Sequence, residues 1–144
     1  MKRPDWDQLY ITMCYLVGMR SRDGHTHVGS VIVDSDNVLV STGYNSLPRG
    51  IEVDQAKRRL SRENGEKYHW MEHAERNAIY NAARRGTVLR GCKLYVPWTP
   101  CTDCTRASPA ATLIGRKCYT PPPGSAGVRP SCSRAQCPWS CRAY

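Results

Sequence analysis

The sequence predicts a single α/β domain in which helices cover a β-sheet. Three observations lead to this prediction. The chain has 144 residues, a length that suits one domain. Its apolar residues recur with a helical period in some segments and form short runs typical of buried strands in others. The segments follow one another as helix, hairpin, loop, helix, strand and helix, an order typical of layered α/β proteins.

The first predicted element is a helix in DWDQLYITMCYLVGMRS, residues 5–21. Asp5 or Asp7 can cap its start, since a side-chain carboxylate there accepts hydrogen bonds from free backbone N–H groups. The apolar residues fit a helical period, and they are Leu9, Tyr10, Ile11, Met13, Cys14, Leu16, Val17 and Met19. We therefore expect a helix that packs on the sheet.

A β-hairpin is predicted next, in HVGSVIVDSDNVLVSTGYN, residues 27–45. Two apolar runs, 28–33 and 38–40, are separated by the turn-forming residues DSDN. The polar segment that follows is interrupted by Pro48, Gly50 and Gly65, and it predicts a long loop. Loops of this length are often functional.

The second half of the chain predicts a helix, a strand and another helix. HAERNAIYNAARRG, residues 73–86, has alanine and isoleucine on one helical face and Gly86 where a C-terminal cap belongs. CKLYVPW, residues 92–98, indicates a short strand. Pro100 then stands before the first turn of a helix that begins in PCTDCTRA.

The net charge of +9 is unevenly distributed. Residues 108–144 carry five Lys/Arg and no Asp/Glu, so the rest of the chain is only modestly basic. Such a body suits a small anionic substrate as well as it suits a nucleic acid, and we favour the small substrate. No apolar run approaches the roughly 18 residues of a membrane helix, and the N-terminus has no secretory signal. The expected compartment is the cytoplasm, where a CxxC pair indicates metal or redox chemistry.

A zinc site is predicted from two short motifs. Cys101 and Cys104 are three residues apart at a helix start, so both can reach one ion, and His73 can supply a third ligand. Three protein ligands leave a fourth position for water, as in catalytic zinc sites. Glu75 can take the proton of that water, so we expect it to be the catalytic acid–base residue.

Each motif has a simpler explanation when taken alone. Many CxxC pairs are redox-active or coincidental, and an HxE pair in a helix is usually a solvated face. The main alternative is a closed structural zinc site, in which His69 and His73 join the two cysteines in a Cys2His2 set. That arrangement would leave Glu75 without a role.

With these motifs, the chain resembles the cytidine and deoxycytidylate deaminase family. H-x-E followed by P-C-x-x-C, here HAE at 73–75 and PCTDC at 100–104, is the signature of zinc-dependent nucleobase deaminases. The segments HVGSVIVDSDNVLVSTGYNSLPRGI, EKYHWMEHAERNAIYNAARRG and LYVPWTPCTDC are similar to the family as well, so the likeness covers roughly residues 8–107.

The resemblance implies a three-layer α/β/α fold with a mixed, five-stranded sheet. It also implies zinc-dependent hydrolysis of deoxycytidine monophosphate (dCMP) to deoxyuridine monophosphate (dUMP) and ammonia. Asn45 would face the sugar and Arg49 the phosphate. A homo-oligomer is expected from the family. A second zinc is not expected, since the loop from 51 to 67 contains no cysteine or histidine.

The likeness is lost after Ala107, so we expect a deaminase domain at 1–107 and an atypical tail at 108–144. The tail contains six prolines and four cysteines and has no periodic pattern. Pro109 would also interrupt the helix that follows Cys104. One hypothesis is a shifted reading frame, which would leave the fold incomplete at the C-terminus and the 144-residue chain with little or no activity. A divergent or poorly ordered tail is the alternative.

Two other functions stay open at this point. The zinc motifs do not choose the base, so a tRNA-adenosine or free-nucleoside deaminase would have them too. A non-catalytic, zinc-stabilised binding module would bind the metal and release no ammonia.

Overall fold

The computed structural model describes residues 3–51, 66–111, 113 and 115–118. The helices and strands of these residues are α1 (Trp6–Gly18), β1 (Gly29–Val33), β2 (Leu39–Tyr44), α2 (Glu66–Trp70), α3 (Ala74–Ala83), β3 (Lys93–Val96), α4 (Thr102–Ala110) and β4 (Gly115–Cys118). This order confirms the predicted one and adds two elements. The short helix α2 lies in a segment for which the sequence indicates a loop, and β4 lies in the tail that was expected to be irregular. In the described ranges no helix has the length and apolar character needed to span a bilayer.

The strands form one mixed sheet in the order β2-β1-β3-β4. β1 pairs antiparallel with both β2 and β3, whereas β3 and β4 run parallel. The predicted hairpin is therefore confirmed, and its turn is held by Asp34, whose Oδ1 accepts hydrogen bonds from the N–H groups of Asp36 and Val38. Asn37 has a φ of 63°, which asparagine tolerates better than most residues. The described part of the chain holds four strands, one fewer than the resemblance implied.

Helices cover both faces of the sheet, which accounts for the continuous apolar run of β1. Every residue of β1 is buried. Val31 and Val33 join the side chains of α1 on one face, whereas Ile32 joins those of α3 on the other. A strand buried on both faces loses the alternation of apolar and polar residues, and VIV is such a strand. The α/β/α layering is thus present in the described residues.

The first helix begins with a capping box. The Asp5 carboxylate accepts a hydrogen bond from the Gln8 N–H at 2.7 Å, and the Gln8 side chain accepts one from the Asp5 N–H at 3.1 Å. The predicted apolar face is only partly buried. Tyr10, Ile11 and Cys14 pack on the sheet, but Leu9, Leu16 and Met19 are exposed because they lie on the other side of the helix. Periodicity alone selects more residues than one face can hold.

The described structure extends past the predicted boundary at residue 107. Helix α4 ends at Ala110, one residue after Pro109, and Leu113 is buried in the cluster beneath α3. β4 then pairs with β3 along its whole length. Residues 119–144, most of the predicted tail, lie outside the described residues, and so do residues 52–65 of the predicted loop. The division at 107 stays a prediction.

Candidate metal centre

Two helix starts bring the predicted metal ligands together. His73 is the N-cap of α3, and Cys101 is the N-cap of α4 with Cys104 in the following turn. Neither N-cap side chain caps its own helix, so both point elsewhere. The unpaired N–H groups and the positive end of the helix dipole favour negative charge at such positions. The two helix termini therefore act in favour of thiolates, the form of cysteine that binds metal. At Cys104 they oppose burial, which raises the pKa of the thiol.

The ligand atoms of the three residues form a compact cluster. The Nδ1 atom of His73 lies 3.3 Å from the Sγ atom of Cys101 and 3.4 Å from that of Cys104. All three ligand atoms lie within 4.8 Å of one another. Two sulfurs and one imidazole nitrogen form a donor set that zinc favours. His73, Cys101 and Cys104 are thus positioned to hold a metal ion, and the set fits zinc.

The carboxyl group of Glu75 lies beside this cluster and is almost fully buried. Burial raises the pKa of the Glu75 carboxyl, and the neighbouring His73 and Cys104 act in the opposite direction. Burial likewise raises the pKa of the Cys104 thiol, with the nearby Glu75 adding to the effect. A protonatable carboxyl next to two thiols and an imidazole is suited to proton transfer.

Two buried hydrogen bonds lie next to the metal-binding side chains, one between α3 and the sheet and one within α4. The hydroxyl of Ser30 in β1 donates to the Ala74 carbonyl at 2.7 Å, directly after His73. The hydroxyl of Ser108 donates to the Cys104 carbonyl at 2.8 Å inside α4. Gly43 in β2 permits α3 to approach closely, since a Cβ atom there would lie 2.3 Å from the Ala78 nitrogen. These contacts set the position of the ligands with little freedom.

A cavity of about 230 Å³ opens onto the cluster. His73, Glu75 and Cys101 line one part of it, and apolar side chains line another. Polar and charged groups complete the wall, among them Asp23, Asn45 and Lys67. A cavity with an apolar wall and a few convergent polar groups is typical of small-ligand sites.

The structure places the two predicted substrate residues differently. Asn45 is buried in the cavity wall, where its amide oxygen accepts from the Val28 N–H at 2.8 Å and its amide nitrogen donates to the Thr26 carbonyl at 2.7 Å. Arg49 does not line this cavity. It is exposed and donates to the Asn81 amide oxygen at 3.2 and 3.3 Å. Asn45 therefore lies in the wall of the cavity, and Arg49 lies outside its lining.

The alternative ligand His69 lies on α2 and is exposed. It is not part of the cluster that the described residues form. The three-ligand arrangement is therefore the one that the geometry presents.

Sequence reasoning missed the ion pair between Asp23 and Lys67. The two side chains are only 3% and 7% exposed and lie in direct contact. They come from a loop and a short helix 44 positions apart, and no motif joins them. The weak signal was a lysine in an otherwise aromatic stretch, KYHW, just before the HAE motif.

Residues 4–119 match the family profile described as the cytidine and deoxycytidylate deaminase zinc-binding region. The deoxycytidylate deaminase of Homo sapiens is 36% identical over 104 residues, which are 71% of this chain and 57% of the human protein. The deoxycytidylate deaminase of Mycobacterium phage D29 is 33% identical over 128 residues, which cover 83% of this chain and 97% of the phage protein. The chain thus spans little more than half the length of the human relative.

Solved structures support the same fold. The dCMP deaminase of the cyanophage S-TIM5 in its apo form superposes with a TM-score of 0.66 at 21% identity, over 82% of this chain and 85% of the phage chain. The structure of that phage enzyme in complex with dCMP and dUMP gives a TM-score of 0.65 at 20% identity, over 83% and 84% of the two chains. The three-layer fold expected from the sequence is confirmed by these neighbours.

Proposed function

Because this chain belongs to the cytidine and deoxycytidylate deaminase family, we propose that it is a zinc-dependent hydrolase that converts dCMP and water to dUMP and ammonia. The observation that carries the proposal is the Glu75 carboxyl, buried beside His73, Cys101 and Cys104 at the wall of one cavity. A structural zinc site has no use for a buried carboxyl at that position, whereas a hydrolytic site needs one.

Zinc is the metal that the donor set favours, and His73, Cys101 and Cys104 would hold it. When bound, the ion supplies a Lewis acid that makes water nucleophilic near neutral pH. Three protein ligands leave one coordination position for that water, and the cavity gives a small substrate access to it.

Glu75 would carry the protons of the reaction. Deamination adds water at C4 of the pyrimidine, breaks the bond between C4 and the exocyclic nitrogen, and leaves a carbonyl at C4. The nucleophilic water loses protons, while the ring nitrogen N3 and the departing amine gain them. A single carboxyl balances these transfers if it moves two protons in turn. It takes the first from the water and passes it to N3, and it takes the second from the hydroxyl group now on C4 and passes it to the departing amine. Its buried position in the cavity wall, beside the cluster of metal-binding side chains, favours Glu75 for this role.

The nucleotide preference rests on the relatives. Curated relatives from Homo sapiens and Mycobacterium phage D29 are deoxycytidylate deaminases, and the cyanophage enzyme was crystallised with dCMP and dUMP. Asn45 in the cavity wall is the candidate for the sugar contact. The assignment of the phosphate to Arg49 has no support from its position and rests on the resemblance alone.

We further propose a homo-oligomer in the cytoplasm, as expected for a nucleotide-metabolism enzyme of this family.

Replacement of Glu75 tests the proposal. Glu75→Gln should keep zinc content and dCMP affinity but lower kcat for ammonia release by about 10²–10⁴-fold, because the amide cannot accept a proton. Glu72→Gln is the matched control. Glu72 is one turn earlier, pairs with Arg76 and does not line the cavity, so its loss should change kcat less than about two-fold.

The substrate panel separates the alternatives. Ammonia release should be measured with dCMP, deoxycytidine, cytidine and an adenosine-containing anticodon stem–loop. A preference for the stem–loop or for a free nucleoside would replace dCMP as the substrate. Tight zinc binding without ammonia from any of the four would indicate a non-catalytic module.

A further inference from the structure

The wall of the catalytic cavity contains a buried ion pair that the proposed mechanism does not use. The Lys67 ammonium contacts the Asp23 Oδ2 atom, and both side chains are excluded from solvent. Among the described residues that line the cavity, Lys67 is the one lysine or arginine. Any negatively charged part of a ligand in this cavity therefore meets Lys67 as its nearest permanent cation within that lining.

A buried ion pair contributes little to the stability of a cavity wall. Removal of two charges from water costs more than their attraction usually returns, and a well-packed apolar pair is often as stable. Asp23 is nevertheless held firmly in place. Its Oδ1 accepts from the His25 N–H at 3.0 Å, and its Oδ2 accepts from the Asn45 amide at 3.4 Å. The carboxylate is thus built into the loop that joins α1 to β1.

Asp23 also controls how much of the Lys67 charge a ligand can use. An ammonium has three N–H donors, and Asp23 takes one of them and cancels most of the field. A phosphate in the cavity would compete with Asp23 for Lys67, whereas a neutral nucleoside would not. The strength of the Asp23–Lys67 contact therefore affects the affinity for a nucleotide more than the affinity for a nucleoside. Any change that reaches the sugar through Asn45 affects both ligands and cancels in the ratio of their affinities.

We propose that Asp23 is a specificity residue that sets the discrimination between phosphorylated and unphosphorylated deoxycytidine through its contact with Lys67. The inference rests on the proposed function for its ligand, a nucleoside monophosphate. Lys67 provides the extra affinity that a phosphate group gives to a nucleotide. Asp23 lowers that extra affinity, which keeps the product nucleotide from binding too tightly.

Equilibrium binding tests this inference without turnover. The zinc-loaded chain with Glu75→Gln is titrated with dCMP and with deoxycytidine, and the ratio of the two Kd values is compared among variants. Asp23→Asn should raise the preference for dCMP about ten-fold, a change of about 1.4 kcal/mol. Lys67→Met should lower it about ten-fold. In the Lys67→Met background, Asp23→Asn should change the ratio less than about three-fold, because its partner is gone.

The control is Asp36→Asn, an equal change of charge in the exposed hairpin turn, which should leave the ratio unchanged. If Asp23→Asn weakens both ligands equally, the carboxylate contacts the nucleoside itself and the inference is wrong. It is also wrong if neither single variant changes the ratio, or if the chain binds neither ligand.

A failure of the proposed function is recognised separately. A chain that shows the charge-dependent ratio but releases no ammonia before the Glu75 change would overturn the function and leave the inference standing. If Asp23→Asn does not fold, Lys67→Met and the double variant still test the inference. An equal ratio of the two Kd values in Lys67→Met and in the parent would contradict the inference.

Discussion

The start of a helix sets the position of each of the three residues His73, Cys101 and Cys104. A metal ion needs all three side chains at these positions. We expect Cys101→Ala to lose zinc, because two remaining ligands cannot complete a tetrahedron with a single water. His69→Ala should keep the zinc content of the parent, since His69 lies outside the cluster. Metal analysis after dialysis against a weak chelator measures both.

The opposite pattern would change the assignment. Full zinc content in Cys101→Ala would show that the metal binds elsewhere. Loss of zinc in His69→Ala would favour the closed Cys2His2 site that the sequence also allowed.

The Asp23 carboxyl makes the stability of the protein depend on pH. Burial raises its pKa, but hydrogen bonds and attraction from Lys67 together with the His25 N–H outweigh this and hold the pKa below its usual range. A carboxyl with a lowered folded-state pKa contributes stability above the unfolded value, near 3.9, and loses it as the pH falls through the folded value. The contribution should therefore be complete at pH 7 and decline below about pH 4.

Urea unfolding of Asp23→Asn and the parent measures this contribution as a difference. At pH 7 we expect the variant to be less stable by about 3 kcal/mol, because Lys67 is left buried without its partner. The difference should shrink below pH 4, where the parent carboxyl becomes protonated. A difference that stays constant between pH 7 and pH 3 would show that the ion pair does not contribute, and Asp36→Asn serves as the exposed control.

At the scale of elements, the position of α3 depends on the absence of a side chain at Gly43. A Cβ there would lie 2.3 Å from both the Ala74 carbonyl oxygen and the Ala78 nitrogen, which are backbone atoms that cannot rotate away. Gly43→Ala should push α3 off the sheet and destabilise the protein by about 1–3 kcal/mol or more. Since His73, a proposed zinc ligand, directly precedes α3, zinc affinity should fall as well.

Gly24→Ala is the matched control, because its added methyl meets no atom within 4 Å. Thermal unfolding and zinc titration of the two variants compare the same chemical change at a crowded and an open position. Equal stability of Gly43→Ala and Gly24→Ala would show that the helix can move without cost.

Local sequence patterns predicted the helices and the strand near the proposed zinc ligands. They did not predict the contacts between segments that are far apart in the sequence. The helix starts at His73 and Cys101 follow from residue types within one turn of each, and the run VIV indicates a buried strand. The Asp23–Lys67 contact joins segments that share no local pattern, so only the folded chain reveals it. The same holds for Arg49, whose side chain turns to Asn81 on α3, a partner 32 positions away.

At the scale of the whole molecule, β4 is the last strand of the described sheet. In the described part of the sheet β4 is an outer strand, parallel to β3, and β3 leads directly to Cys101. Parallel strands are normally covered on both faces, and an uncovered edge invites association with other chains. Residues 108–144 have the composition least like the rest of the chain, with no acidic residue and six prolines. We propose that this tail stems from a shifted reading frame. Against the proposal stand its first residues, which form the end of α4 and the strand β4 and are matched by the family profile to residue 119.

Three chains test the origin of the tail: the 144-residue chain, a version that stops after Cys118, and a version translated in the restored frame after the Ala107 codon. If the tail is foreign to the fold, truncation should change Tm by less than about 2 °C. The restored frame should raise Tm by at least about 5 °C, since one extra kcal/mol shifts a domain of this size by a few degrees, and it should raise kcat/KM for dCMP at the same time. Stability and activity should rise together because strands added beside β4 would hold β3 and the loop to the cysteines in place. A truncated chain that unfolds much earlier than the 144-residue chain, or a restored frame that lowers both quantities, would show that the tail belongs to the fold as it is written.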